Sequence, residues 1–202
     1  MKALFDAPIV VIDTETTGFL SEPTAQPVEI GAVCLDATGQ TTLGSLSFLI
    51  RPKVDDHRHD GTWDWHAKEK TGLTRELVAA HGCSVSAAHD LFLSWWDALG
   101  RPQVCAFNND FDRPMLERLS LMLGDEAWAP CIMLAAMNIM GPAGALRPPP
   151  RRAPAGQRWK WPNAKEAMTF FGVSGRHRHR AVADARDEAL ILRAVHQHRL
   201  GR

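Results

Sequence analysis

The apolar run Pro8–Ile12 closes on two carboxylates, Asp13 and Glu15. The run reads as a buried strand, and buried strands rarely end in two acids unless a cation sits there, because an unpaired buried carboxylate is costly. Asp13 and Glu15 stand at i and i+2, so on a strand they point to one side and can share one ion. Thr16-Thr17-Gly18 then turns the chain, and Gly18 permits close approach of a ligand. Taken alone, the segment equally suits a strand ending in a solvated acidic turn.

The next hundred residues narrow the fold. Val28–Leu35 and Leu43–Ile50 read as two further strands joined by the turn Asp36-Ala37-Thr38-Gly39, and such close spacing predicts an antiparallel meander. Val85, Ala88, Phe92, Trp95, Trp96 and Leu99 recur at three or four residues, which predicts an amphipathic helix over 85–99, stopped by Gly100 and Pro102. Val104–Phe107 reads as a short strand. A helix is expected from Asn109 to Leu123, with Phe111, Met115, Leu119 and Met122 inward and Gly124 as its stop. Residues 130–139 are apolar and ambiguous. Two helices, Ala164–Phe171 and Ala181–His198, close the chain. Strands first, then alternating helix and strand, predict an α/β domain with a mixed sheet and helices on both faces.

At 202 residues the chain can bury a full core as one domain, 1–202. Residues 141–158, rich in Gly, Pro and Arg, read as an irregular basic insertion loop within it. No apolar stretch approaches the roughly 18 residues needed to span a bilayer. Acids at Asp6, Asp13 and Glu15 also interrupt the first apolar run, so no signal peptide is expected. The four cysteines lie far apart without a C-x-x-C pair, which suits buried thiols in a reducing cytoplasm. A net charge of zero hides a split: residues 1–140 carry 10 Lys and Arg against 19 Asp and Glu, and residues 141–202 carry 13 against 4. A basic final third suits contact with phosphate, and equally a solvated loop neutralised by the rest.

Two more segments extend the acidic theme. Asn108-Asn109-Asp110-Phe111-Asp112 opens a helix, where an acid is also favoured by the helix dipole. His179-Arg180-Ala181-Val182-Ala183-Asp184 opens the last one. With Asp112 and Asp184 the chain offers four acids for a hard-cation site, and a histidine five residues before the last. Such oxygen-rich sites hold Mg²⁺ or Mn²⁺, and a pair of ions about 4 Å apart is a recurrent device for cutting phosphodiesters. His179 suits a general base, with His177 competing for that role.

Asp13-x-Glu15 with Thr16-Thr17-Gly18, Glu29-Ile30-Gly31-Ala32-Val33, Asn108-x-x-Phe111-Asp112 and His179-x-x-x-x-Asp184, in that order over nearly the whole chain, resemble the DEDDh 3′–5′ exonucleases. Lys70-Thr71-Gly72-Leu73-Thr74 resembles a linking motif of the same family. Phe107 departs from it, standing where the family often has a histidine. The resemblance implies a ribonuclease-H-like, mixed five-stranded sheet and hydrolysis by two divalent cations, Mg²⁺ or Mn²⁺. It implies that Asp13, Glu15 and Asp184 hold one ion, that Asp13 and Asp112 serve the second, and that His179 deprotonates the attacking water. It also implies that Thr14, Thr16, Thr17 and Gly18 receive the terminal nucleotide, with Phe19 or Leu20 against the last base.

Asn108, Arg151, Arg152, Arg158 and Lys160 are further candidates to contact nucleic acid, and Trp159 and Trp161 could stack on bases or cover a core edge. Trp95 and Trp96 read as core, and a second metal site at His57, His59 and Asp60, near Trp63 and Trp65, is a remote reading. The expected partners are single-stranded DNA or RNA 3′ ends, with DNA or mixed substrates ahead of oligoribonuclease-like trimming of RNA. A homodimer is admitted. A polymerase partner is not favoured, since little chain follows the last helix. The competing reading is a non-catalytic nucleic-acid-binding module of a polymerase complex.

Overall fold

The computed structural model describes residues 5–52, 71–175 and 179–201. His57, His59, Asp60, Trp63, Trp65, Lys70 and His177 lie outside these residues. Three strands form the expected meander: β1 (Ile9–Thr16), β2 (Pro27–Leu35) and β3 (Thr42–Leu49). The fourth, β4 (Gln103–Cys105), joins β1 in parallel, giving the order β3-β2-β1-β4. β1 runs longer than its apolar stretch: pairing with β2 continues through both acids, with Gly31 opposite Asp13 and Glu29 opposite Glu15.

Among the described residues the sheet has four strands, not the five implied by the resemblance. Past β4, Trp128 makes a single parallel bridge to Val104, and Ala129 donates its N–H to the Val104 carbonyl. Pro130 has no N–H to extend the ladder, and the chain turns into a helix at Ile132.

The helices are α1 (Arg75–His81), α2 (Val85–Ala98), α3 (Asn109–Arg118), α4 (Ile132–Met140), α5 (Ala164–Phe171) and α6 (Ala181–Arg199), with a 3₁₀ turn at Asp125–Ala127. Side-chain alternation along β1 decides which layer each meets. Ile9 and Val11 join Val33, Leu35 and residues of α4, α5 and α6 in one core; Val10 and Ile12 join Ile30, Ala32, Phe92, Trp96 and Leu116 in the other. Helices thus cover both faces, as the pattern predicted. Trp96 is buried and donates its ring N–H to the Pro102 carbonyl at 2.8 Å. Short α1, capped by the Thr74 hydroxyl, carries too little periodicity to be read from sequence.

α3 stops five residues before the predicted Leu123. Ser120 adopts a left-handed conformation (φ 63°), and Leu121 donates back to the Leu116 carbonyl, closing a Schellman-type end before Gly124 is reached. That turn changes the phase of the next three residues. Leu121 and Leu123 are buried, and Met122, expected inward, is 73% exposed.

Candidate metal and nucleic-acid site

Alternation along β1 also places the acids. Asp13 and Glu15 share the face of Ile9 and Val11, the side covered by α6, whereas Thr14 points the other way, toward α3. Three features bring the start of α6 down onto this face. Gly31 lies beneath it, so close that a β-carbon there would stand 1.9 Å from the Val182 nitrogen. Glu29, 1% exposed, accepts the Ala181 N–H at 3.1 Å, which suits an acid at a helix N-terminus. Arg180 grips the same carboxylate through Nε and Nη2, at 3.1–3.2 Å and 2.8 Å. His179, just before, is left-handed (φ 53°), a conformation uncommon outside glycine and typical of over-determined sites.

The result is a convergence. The ligand atoms of Glu15, His179 and Asp184 lie within 4.8 Å of one another. Asp112, 5% exposed, comes from the first turn of α3. Its Oδ1 accepts both the Thr14 backbone N–H (3.0 Å) and the Thr14 hydroxyl (2.7 Å), which fixes the carboxylate's orientation against β1.

Crowding shows in the protonation equilibria. Burial, then the charges of Glu188, Asp112, Glu15 and Asp184, raises Asp13 well above the carboxylate range. Glu15 is pushed up to about 8, by burial first and then Asp184, Glu29 and Asp112, with Arg180 opposing. Burial takes Asp112 to about 7 against the pull of the two Thr14 donors. Carboxylates arranged this way repel one another until a cation joins them. Oxygen donors with one imidazole fit a hard or borderline divalent ion such as Mg²⁺ or Mn²⁺.

Glu188, a buried acid one turn past Asp184, belongs to this neighbourhood. The sequence reading missed it, although its i+4 spacing from Asp184 was a usable signal. Glu29 and Arg180 were missed as a pair because 151 residues separate them.

The nucleic-acid candidates divide. Thr14 is engaged with Asp112. Thr16 donates its hydroxyl to the Gly18 carbonyl (2.7 Å), and Thr17 accepts the Gln26 N–H (3.0 Å). These bonds shape a compact loop, Thr17–Gln26, in which Gly18 backs onto the Glu22 carboxylate. Arg118 ties the loop to α3 by donating to the carbonyls of Leu20 and Glu22 (both 3.0 Å) and Ala25. Phe19 stands out from it, 60% exposed. Asn108 precedes α3 without a side-chain capping bond, while Asn109 bonds the backbone of Ala106 and Ala129. Arg151, Arg152 and Arg158 are exposed. Lys160 is held by Glu166 at 2.6 Å, its charge already matched. Trp159 packs against Gly141 and the core, and Trp161 is 41% exposed.

No family model matches the chain, and no curated protein does. Solved structures do. Cell-death related nuclease 4 aligns with a TM-score of 0.69 at 15% identity, over 98% of this chain and 65% of that one. Exonuclease I of E. coli in complex with a dT13 oligonucleotide aligns at 0.67 and 19% identity, over 97% of this chain and 43% of that one. A zinc-bound form of the E. coli exonuclease I complex with single-stranded DNA aligns at 0.66 and 19%, over 98% and 42%. The chain shares its fold with nucleases. It spans about two fifths of the length of the exonuclease I chains and just under two thirds of the other.

Proposed function

We propose that this protein is a metal-dependent 3′–5′ exonuclease that releases nucleoside monophosphates from single-stranded ends of DNA, or of mixed DNA and RNA. One observation carries the reading: Glu15, His179 and Asp184 meet within 4.8 Å, beside Asp13 and the oriented, buried Asp112. The neighbours support it, since exonuclease I was crystallised with oligonucleotides and, in one form with single-stranded DNA, with zinc bound.

Two divalent cations, Mg²⁺ or Mn²⁺, would neutralise charge on the phosphodiester in the transition state and make bound water acidic. Asp13, Glu15 and Asp184 would hold one of them, and Asp13 with Asp112 the other. Thr14 holds the Asp112 carboxylate against β1. His179, in its neutral form, takes the proton of the attacking water, then releases it to solvent. Arg180 does not join this chemistry; clamped on Glu29, it fixes the helix start that presents His179 and Asp184.

The exposed ring of Phe19 offers a stacking face for the terminal base, a contact tolerant of sequence. The backbone of Thr16–Gly18 and the side chain of Asn108 are further candidates to receive the terminal nucleotide. Arg151, Arg152 and Arg158 supply positive charge for the strand's phosphates.

The test is a degradation ladder on 5′-labelled single-stranded DNA and RNA of one sequence, with Mg²⁺, Mn²⁺ or chelator. Metal-dependent shortening from the 3′ end is expected, faster on DNA. Folded protein that binds the strand and leaves it intact under every condition would favour a non-catalytic binding module instead.

A further inference from the structure

Glu188 lies one turn beyond Asp184 on the same face of α6 and is 3% exposed. Its Oε2 accepts the Phe107 backbone N–H at 3.4 Å, a long bond for a buried carboxylate. The β1–β4 ladder ends where Val11 pairs with Cys105, two residues before Asp13 and two before Phe107, so the carboxylate anchored at Phe107 lies at the same end of the sheet as Asp13. Of the neighbouring acids, Glu188 acts most strongly on Asp13. Asp112 and Asp184 in turn act on Glu188. Arg180 is committed to Glu29, and Arg186, two residues after Asp184, is exposed. A carboxyl buried for structural reasons is ordinarily matched by several donors or an arginine. Glu188 instead faces other acids.

We infer that Glu188 is a fifth carboxylate of the metal centre, contributing its charge to the ion held by Asp13 and Asp112. The inference rests on the metal-dependent reading above. A purely structural Glu188 would serve only the Phe107 N–H, a bond that glutamine, with its own Oε1, preserves. Glu188→Gln therefore removes the charge and keeps the contact.

The experiment measures Mn²⁺ binding by calorimetry, and melting in chelator and in saturating Mn²⁺, for the wild type, Glu188→Gln and Glu188→Asp. Without metal, Glu188→Gln should melt higher than wild type by about 2 °C or more, because the cost of burying an acid among other acids is gone. Its Mn²⁺ dissociation constant should rise about 10-fold or more, the size of effect seen for groups that support metal ligands. Glu188→Asp, which keeps the charge but withdraws it by one methylene, should fall between. Wild-type Mn²⁺ affinity in Glu188→Gln would overturn the inference and leave the proposed activity standing. A Gln variant that cannot fold without metal would also overturn it, by showing the carboxylate to be structural. A wild type that binds no Mn²⁺ would remove both this inference and the reading beneath it.

Discussion

Replacing Gly31 with alanine should separate the two halves of the site. A β-carbon at this position would stand 1.9 Å from the Val182 nitrogen, 2.1 Å from the Ala181 carbonyl carbon and 2.4 Å from the Val182 Cα. These are backbone atoms in the first turn of α6, so no side chain can rotate away to make room. Ordinary contact begins near 3.4 Å, and the helix start must lift by about 1.5 Å. Glu29, two residues earlier on the same face of β2, resists that movement through Ala181 and Arg180. Overpacking against held backbone costs about 1–3 kcal/mol, at about 2–4 °C per kcal/mol for a chain of this length, so the melting temperature should fall by roughly 2–12 °C. Asp184 follows the clash by two residues and would be carried away from Glu15. Misplacing a reacting group by about 1 Å costs on the order of 100-fold in rate. Single-turnover hydrolysis of a labelled oligonucleotide, well below the variant's melting temperature, reads the effect directly. A Gly31→Ala protein with the wild-type rate and melting temperature would refute the account of how α6 is seated.

Other consequences are as specific. Glu15 at about 8 and Asp112 at about 7 lie above the usual carboxylate range, so the folded, metal-free protein holds protons that the unfolded chain gives up. Its stability is then greatest at acid pH and declines from about pH 4 to 8. Calorimetry in chelator should show melting temperatures that fall from pH 5 to pH 8.5, with saturating Mg²⁺ removing most of the decline; a flat profile in chelator would contradict the crowding. Thr14→Val deletes the hydroxyl donor to Asp112 but keeps the backbone one. It should cost about 1 kcal/mol of stability and slow turnover about 10-fold, measured at saturating metal. Arg118→Ala frees the loop that carries Phe19. It should raise KM for oligonucleotides several-fold with little change in kcat or in Mn²⁺ affinity, and an unchanged KM would show that the clamp is dispensable.

Local signals survived from sequence to structure, and distant ones did not. The i, i+2 spacing of Asp13 and Glu15 put both on one face because a strand has no other way to present them. α5 begins and ends where Asn163 and Gly172 say it should, through a capping box and a left-handed C-cap. α6 matches its predicted span to within one residue. The end of α3 escapes the sequence pattern because serine, not glycine, takes the left-handed position. The Glu29–Arg180 clamp, the Arg118 ties and the Phe107–Glu188 contact join residues 81 to 151 positions apart, and only the packed fold brings them together. Even Gly31, quoted as part of a motif, owes its necessity to a helix 150 residues later. All four cysteines are free, Cys34 and Cys105 buried and Cys83 and Cys131 half-buried, and among the described residues no helix is long and apolar enough to cross a membrane.

We propose that these carboxylates hold divalent cations against the end of a nucleic-acid strand. Crystals grown with a non-hydrolysable oligonucleotide and Mn²⁺ would test it through anomalous scattering. Manganese is expected bounded by Asp13, Glu15 and Asp184 and a second ion by Asp13 and Asp112, with the 3′-terminal phosphodiester between them and His179. Manganese absent from these acids at saturating concentration, in a crystal whose strand is plainly bound, would contradict it.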